Sequence, residues 1–310
     1  MKNQRNWPKY NQSLKNRARL NFFVDVKAVE QSWLSLMKGC GQGRPEIYSD
    51  YAITICLTLK AVFGLALRQC EGFVESLFKT LQLNLDVPNY TLLSRRASCV
   101  DVKKVMGAAY RGHCECIVLD GTGLKMAGEG EWKVRTHGKG NRRQWVKLTI
   151  SVDPTVQTIT DFELSDAYSD EVQSALKIID RAGTGLHTVI GDGSYDSDSV
   201  YQKGYREGFR VITPPCKNAV SSDLEVKPHR KDRNEAISRI ASTPDGRKEW
   251  KQEVNYHRRS LVETAFFRLK NIFGGQVCAK RRENQISEVA IKLGILNKWT
   301  MIDNAIYAVS

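Results

Sequence analysis

At 310 residues the chain can bury one large core or two modest ones, and its 41% hydrophobic content is that of an ordinary globular protein. The formal net charge is +13, yet residues 1–112 hold 17 Lys/Arg against 8 Asp/Glu, residues 113–200 hold 9 against 14, and residues 201–260 hold 14 against 8. A basic chain around an acidic centre points to a polyanion partner handled by carboxylates, and speaks against a purely structural nucleic-acid protein, which needs no acidic block. Eight cysteines without a C-x-x-C pair speak against a structural zinc site. No signal peptide is visible, so reduced thiols and a cytoplasmic, nucleoid-associated location are expected. The most hydrophobic stretch, residues 51–67, is interrupted by Lys60 and reads as a buried helix, so no membrane partner is expected.

Residues 1–43 are basic at first, then apolar, and Gly39 to Gly43 reads as a joint. From Tyr48 the pattern turns helical. Ser49 and Asp50 can cap a helix running to Phe63, residues 70–83 form a second, and Pro88-Asn89-Tyr90-Thr91 opens a third segment at 92–107. That segment carries Arg95, Arg96, Lys103 and Lys104. Three helices with a basic last one predict an all-helical, helix-turn-helix-like DNA-binding region over residues 1–112, with a bundle bearing a solvated basic face as the alternative.

At Cys114 the period becomes strand-like. Residues 114–119 read as a central strand that runs into Asp120-Gly121-Thr122-Gly123, followed by a basic loop with Lys133, Arg135, His137, Lys139, Arg142 and Arg143. Strands are predicted at 144–152 and 155–164, joined by Asp153-Pro154, then a helix at 170–182. A short apolar strand at 188–191 ends in Asp192-Gly193-Ser194-Tyr195-Asp196; a helix at 197–208 and a strand at 209–213, stopped by Pro214-Pro215, complete the series. Residues 216–250 read as a polar insertion before a last helix containing Glu263. This succession predicts an α/β, ribonuclease H-like (retroviral-integrase-like) domain over residues 113–310. The Gly128-Glu129-Gly130 and Gly138-Lys139-Gly140 fragments do not join a strand to a helix and are not dinucleotide sites.

Asp120 and Asp192 each end a short apolar strand and precede Gly, where an open α/β sheet places its sites. A single Asp-Gly is most often a turn; two in the same topological position, with a helix-borne Glu263, make three hard oxygen ligands suited to Mg²⁺. On a helix, Tyr256, Arg259, Glu263 and Lys270 share a stripe about 60° wide, so that a carboxylate stands among two cations and a phenol. Such a stripe suits a metal ion beside a phosphate, although Ser260-x-x-Glu263 also fits a capping box. Asp153 reads as a turn residue, Asp161 as a strand residue, and Asp196 and Asp198 as helix caps, with Asp196 the nearest to a supporting role. Trp250, just before the stripe, reads chiefly as a core residue and secondarily as a base-stacking one.

The motifs Leu119 to Lys125, Gly191 to Asp196 and the Tyr256/Arg259/Glu263/Lys270 spacing resemble the bacterial insertion-sequence transposases of the DDE type, the last matching the family's Tyr-Arg-Glu-Lys signature at every position. Arg44-Pro45, Tyr48-Ser49, the stretch from Leu67-Arg68 to Gly72-Phe73, and Tyr90 to Arg96 are similar to the group founded on insertion sequence five. Gly121 stands where Ser is commoner and Ser194 where Ala is commoner; neither change removes a ligand. The resemblance implies a ribonuclease H-like core in which Asp120, Asp192 and Glu263 are catalytic and hold two Mg²⁺ ions, with Mn²⁺ as substitute. Tyr256, Arg259 and Lys270, together with Arg95 and Arg96 of the basic helix, would contact DNA phosphates. The activity it implies is two-metal cleavage of the element's ends and joining of the 3′-hydroxyls to target DNA. Double-stranded DNA, as terminal inverted repeats and target, would be the partner of a homodimer. The rival expectations are a Mg²⁺-dependent nuclease without strand transfer and a catalytically silent DNA-binding regulator.

Overall fold

The computed structural model describes residues 6–35, 46–126 and 145–308, so the joint at Gly39 to Gly43 and the basic loop from Lys133 to Arg143 lie outside the described residues. The chain divides into two compact units, residues 108–270 and residues 1–107 with 271–310. Residues 271–310, which the sequence placed with the α/β part, thus cluster with the N-terminal helices.

In the unit 108–270, five strands form a mixed sheet ordered β3-β2-β1-β4-β5: β1 (Cys116–Met126), β2 (Trp145–Asp153), β3 (Thr158–Asp166), β4 (Thr188–Ile190) and β5 (Arg210–Ile212). β1, β2 and β3 pair antiparallel, whereas β1, β4 and β5 pair parallel. Ile117, Leu119, Val189 and Val211 point to one face, where the Glu171–Ala182 helix covers them with Ala175, Ile178 and Ile179. The Asp198–Glu207 helix adds Val200 and Tyr201 to the same core. Burying these side chains supplies roughly 1.5–3 kcal/mol each, before chain entropy is set against it.

One expectation is corrected here. β1 does not stop at Leu119: it stays in register with β2 as far as Lys125 opposite Trp145, which leaves Asp120 inside a strand. Non-local pairing overrides the strand-breaking tendency of Gly121 and Gly123. The strand's pairing with the shorter β4, however, reaches only Val118 opposite Ile190. Residues 216–250, the polar insertion, are partly helical. They contain the Lys231–Ala241 and Gly246–Glu253 helices, tied by Arg239 to Glu249 and Glu253. Trp250 is 4% exposed and packs 5.9 Å from the Tyr256 ring, so it is a core residue and not a base-stacking one.

In the other unit the Ser49 hydroxyl accepts from the Ala52 N–H and caps the Asp50–Phe63 helix, which ends at Gly64 with φ of 64°. The Leu67–Thr80 helix follows at a bend of 108°, and no single helix among the described residues is long and apolar enough to cross a membrane. The expected segment at 92–107 is broken: the Tyr90–Arg96 helix gives way to a 3₁₀ turn, Ala97–Cys99, and Asp101 caps a new helix, Val102–Met106. The long Arg282–Ala308 helix buries Val289, Ala290, Leu293 and Leu296 in this unit, and Arg17 pairs with Asp303. Gly294 is needed for its approach, since a Cβ there would stand 2.4 Å from the Val105 carbonyl oxygen.

Gly294→Ala therefore tests packing against propensity. Helix propensity alone predicts a gain of about 1 kcal/mol, whereas the contact predicts a loss of roughly 1–3 kcal/mol. Urea unfolding of the full chain reads the sign. A second test concerns acid. Hydrogen bonds from His229 Nε2 at 2.8 Å and Arg230 Nε at 2.6 Å hold the Asp198 carboxyl down to about 2. Because the folded value is depressed, this contribution is fully present above the ordinary carboxylate range of about 4 and is lost as pH falls from about 4 to about 2. Asp198 is 38% exposed, so the effect is small. The stability difference between wild type and Asp198→Asn should be flat above pH 5 and shrink below it.

Candidate active site

Asp120 lies two residues beyond the last parallel pair of β1, on the stretch that β4 no longer flanks. Its Oδ1 accepts the Gly121 N–H at 2.9 Å and its Oδ2 accepts from Arg259 Nη1 at 3.0 Å. Burial pushes the Asp120 carboxyl up from its ordinary value; the Gly121 N–H and Arg259 oppose this, while Asp192 and Glu263 add to it. Asp120 thus feels the carboxylates of residues 192 and 263.

The Tyr256–Glu263 stretch is not one α-helix. Tyr256–Arg259 forms a 3₁₀ turn entered from Asn255 at φ of 53°, and the α-helix Ser260–Phe273 follows directly. The capping box is not formed: the Ser260 hydroxyl donates to the His257 carbonyl, and Glu263 binds the guanidinium of Arg259 instead. Arg259 therefore bridges Asp120 and Glu263, carboxylates 143 residues apart in the chain. Two turns further along, Lys270 Nζ donates to Thr122 Oγ1 at 2.6 Å, so the helix is fastened to β1 at both ends of its polar stripe. Tyr256 is 8% exposed; burial raises its phenol, with Asp192, Asp120 and Glu263 adding to the rise and Arg259 opposing it.

Asp192 follows β4 and accepts from the Ser194 N–H at 2.9 Å, which caps the short turn Gly193–Tyr195. Asp196 does not join this group. It accepts from Arg233 Nε at 2.9 Å and Tyr201 OH at 3.1 Å, tying the turn to the Lys231–Ala241 helix. Arg95 is exposed on the Tyr90–Arg96 helix. Arg96 is not: it is 8% exposed and committed to Asp50, Glu46 and the Tyr48 carbonyl, so its charge is spent within its own unit and is not available to DNA. Thr122 was visible inside Asp120-Gly121-Thr122-Gly123, but its role needs a partner 148 residues away.

Three carboxylates of this kind are the hard oxygen donors that suit Mg²⁺ or Mn²⁺, so the residues fit a divalent cation chemically. As arranged, the Arg259 guanidinium stands between two of them, and among the described residues no three His, Cys, Asp or Glu side chains are gathered as an ion requires. Only with Arg259 turned aside would the three carboxylates be free for an ion, and Arg259 and Lys270 would then offer a fork and a point charge suited to phosphate oxygens.

Carboxylates, an arginine and a lysine brought to one place on a mixed α/β sheet are a set of groups suited to phosphate chemistry. The Transposase DDE domain family matches residues 113–298, more than half of the chain, and a second family model of the same description matches residues 15–129. The chain belongs to the DDE transposase family. An uncharacterized protein of Aquifex aeolicus (strain VF5) is 25% identical over 173 residues, covering 50% of this chain and 50% of that protein. The chain thus spans about half the length of this curated relative. Among solved structures, a piggyBac transposase synaptic complex with hairpin DNA is similar at 10% identity with a TM-score of 0.46, over 95% of this chain and 79% of that one.

Like charges held together cost stability, and relieving them is a common route to a more stable but inactive protein. In buffer without divalent cations, Asp192→Asn should leave the fold intact and raise stability by roughly 0.5–2 kcal/mol. A fall in melting temperature of several degrees would count against carboxylate repulsion at this site.

Proposed function

We propose that the protein is a metal-dependent DNA transposase of the insertion-sequence-five-like group, which cleaves the ends of its own element and joins the freed 3′-hydroxyls to target DNA. The observation that carries this reading is Arg259 standing between Asp120 and Glu263 while Lys270 rests on Thr122. The sheet order, with three antiparallel strands followed by two parallel ones, is what a ribonuclease H-like core requires and supports the same reading.

Asp120, Asp192 and Glu263 would hold two Mg²⁺ ions, which Mn²⁺ could replace. When bound, such ions supply Lewis-acid stabilisation of the attacking and leaving oxygens of an in-line displacement. The chain's own residues do the remaining work. Arg259 swings from the carboxylates to the non-bridging oxygens of the scissile phosphate, and Lys270 holds a neighbouring oxygen, so that negative charge growing in the transition state meets fixed positive charge. Tyr256 is buried beside the carboxylates and offers its hydroxyl to the phosphate as a neutral donor, because burial keeps it protonated. Water serves as nucleophile in cleavage and a 3′-hydroxyl in joining; the same groups serve both steps because both pass through the same charged phosphorus centre.

The unit formed by residues 1–107 and 271–310 would supply the DNA-binding surface, with exposed Arg95 among its phosphate contacts. Two element ends call for two protein copies, so the working form is a homodimer on double-stranded DNA.

The test is incubation of the protein with Mg²⁺ and DNA carrying the gene's own flanking sequence. Wild type should yield cleaved ends and joined products, and Asp192→Asn should lose both by about 10³-fold or more, the order expected when transition-state charge loses its support. Cleavage without joining would instead identify a nuclease. Binding without chemistry from wild type, in Mg²⁺ or Mn²⁺ and with supercoiled target, would identify a DNA-binding regulator.

A further inference from the structure

Within the unit formed by residues 1–107 and 271–310, the stretches 57–67, 94–97 and 278–291 enclose a groove of about 690 Å³. Its apolar lining is aliphatic: Leu57 and Ala61 of the Asp50–Phe63 helix, Leu65 and Leu67 after Gly64, and Ile291 of the Arg282–Ala308 helix. Four cations line it as well, the exposed Arg95, Lys280 and Arg281 and the half-buried Lys60.

Other cations of this unit are committed to partners. Arg17 pairs with Asp303, Arg96 with Asp50 and Glu46, and the Arg68 guanidinium stands 4.7 Å over the Tyr90 ring. The four cations of the groove form no ion pair among the described residues. The carboxylate in the lining, Glu288, is already engaged: it accepts from the Cys278 and Ala279 N–H groups at 3.0 and 2.9 Å and from Lys292 Nζ at 2.7 Å. Like charges left unneutralised in one concavity repel one another, and a polyanion relieves the repulsion.

The walls are held in place by the protein's own contacts. Glu288 pins the loop that leads into Lys280 and Arg281, and Gln285 Nε2 donates to the Ala279 carbonyl at 3.0 Å. Asn284 Nδ2 donates to the Ser94 carbonyl at 3.1 Å, next to Arg95. The Arg282–Ala308 helix begins at this wall, and the first-turn N–H groups of a helix lack partners within it and carry partial positive charge. Fixed cations beside a helix N-terminus suit phosphate oxygens, and the aliphatic lining suits the C–H faces of the sugars between them. The Val102–Met106 helix, the last part of the segment expected to enter a major groove, is five residues long and carries only Lys103 and Lys104. At 1.5 Å per residue it spans about 7.5 Å, too short to present a row of side chains to base edges.

We propose that this groove, rather than the Val102–Met106 helix, is where the unit holds the sugar-phosphate backbone of double-stranded DNA, with Lys60, Lys280 and Arg281 joining Arg95 as phosphate contacts. Glu288 is a positioning residue that keeps the loop of Lys280 and Arg281 in place. The proposal rests on the reading of the protein as a DNA transposase whose helical unit binds DNA. Backbone contacts of this kind set orientation and carry no sequence information, so the groove serves every duplex alike.

The test uses the full chain without divalent cations. Binding of a labelled duplex with the gene's own flanking sequence, and of a scrambled duplex of equal length, is read by fluorescence anisotropy across a salt series. Lys60→Gln, Lys280→Gln and Arg281→Gln should each weaken binding to both duplexes by about three- to tenfold and reduce the slope of log K against log salt by about one. Lys103→Gln and Lys104→Gln should bind as wild type does. All five side chains are at least partly exposed and unpaired among the described residues, so melting temperatures should stay at the wild-type value. A second measurement needs no substitution: bound duplex should shield Lys60 and Lys280 of the wild-type chain from acetylation, read by mass spectrometry, and leave Lys103 open. Wild-type affinity and slope in the three groove variants, alongside a loss in Lys103→Gln or Lys104→Gln, would overturn the groove and leave DNA binding by the unit standing. Shielding of Lys103 without shielding of Lys60 and Lys280 would do the same. If wild type binds neither duplex, the proposal falls together with the reading beneath it.

Discussion

Carboxylates gathered in a half-buried place repel one another unless positive charge stands among them. Much of the unit 108–270 can be understood from that constraint. Asp120 is partly withdrawn from water and faces Asp192 and Glu263, and the guanidinium of Arg259 is what makes their company tolerable. Arginine suits the task better than lysine: it stays charged at any ordinary pH and its fork can engage two carboxylates at once. The same bridge fixes the start of the Ser260–Phe273 helix against β1, so an electrostatic requirement of the site doubles as a tertiary contact.

The sheet supplies the opening in which this happens. The pairing of a long β1 with a three-residue β4 ends at Val118, and the turn after β4 brings Asp192 towards the stretch that β4 leaves. Unequal strand lengths are ordinarily a liability, because exposed backbone groups invite pairing with other chains. Here the Gly121 N–H turns to the Asp120 carboxylate, and Thr122 receives Lys270, so part of the stretch beyond β4 is engaged by side chains. On the opposite face the glycines of β1 admit Glu171 and bring the helix close.

Sequence reasoning found the strands and the acidic motifs because each is local. An apolar run followed by Asp-Gly is readable in a handful of residues, and Ser49 or Asp170 announces the helix it caps. What was not legible depends on partners far along the chain. Arg96 reads as one of a basic pair, but Asp50, 46 residues earlier, draws it into the interior. Gly121 and Gly123 read as the end of a strand, whereas Thr149 and Lys147 keep them inside it. The Lys231–Ala241 and Gly246–Glu253 helices bury little beyond Ala236, Gly246 and Trp250, so their apolar periodicity is too faint to separate from a polar loop. The spacing of Arg259 and Glu263 predicts a turn of α-helix; the 3₁₀ turn that carries Arg259 keeps the two within reach all the same.

The division of the chain bears on how it comes into being. Residues 108–270 are one uninterrupted segment, whereas the other unit takes its first part from residues 1–107 and its last from 271–310. During synthesis from the N-terminus, the sheet and its carboxylates can collapse while the ribosome is still at work, since every strand of β1 to β5 has emerged by Ile212. The N-terminal helices have no such opportunity. Their apolar faces wait for Leu293, Leu296 and the rest of the Arg282–Ala308 helix, which leave the ribosome after all of residues 108–270. Helices made before the sheet thus belong to the unit completed after it, and until then their exposed apolar surface is what a chaperone would meet.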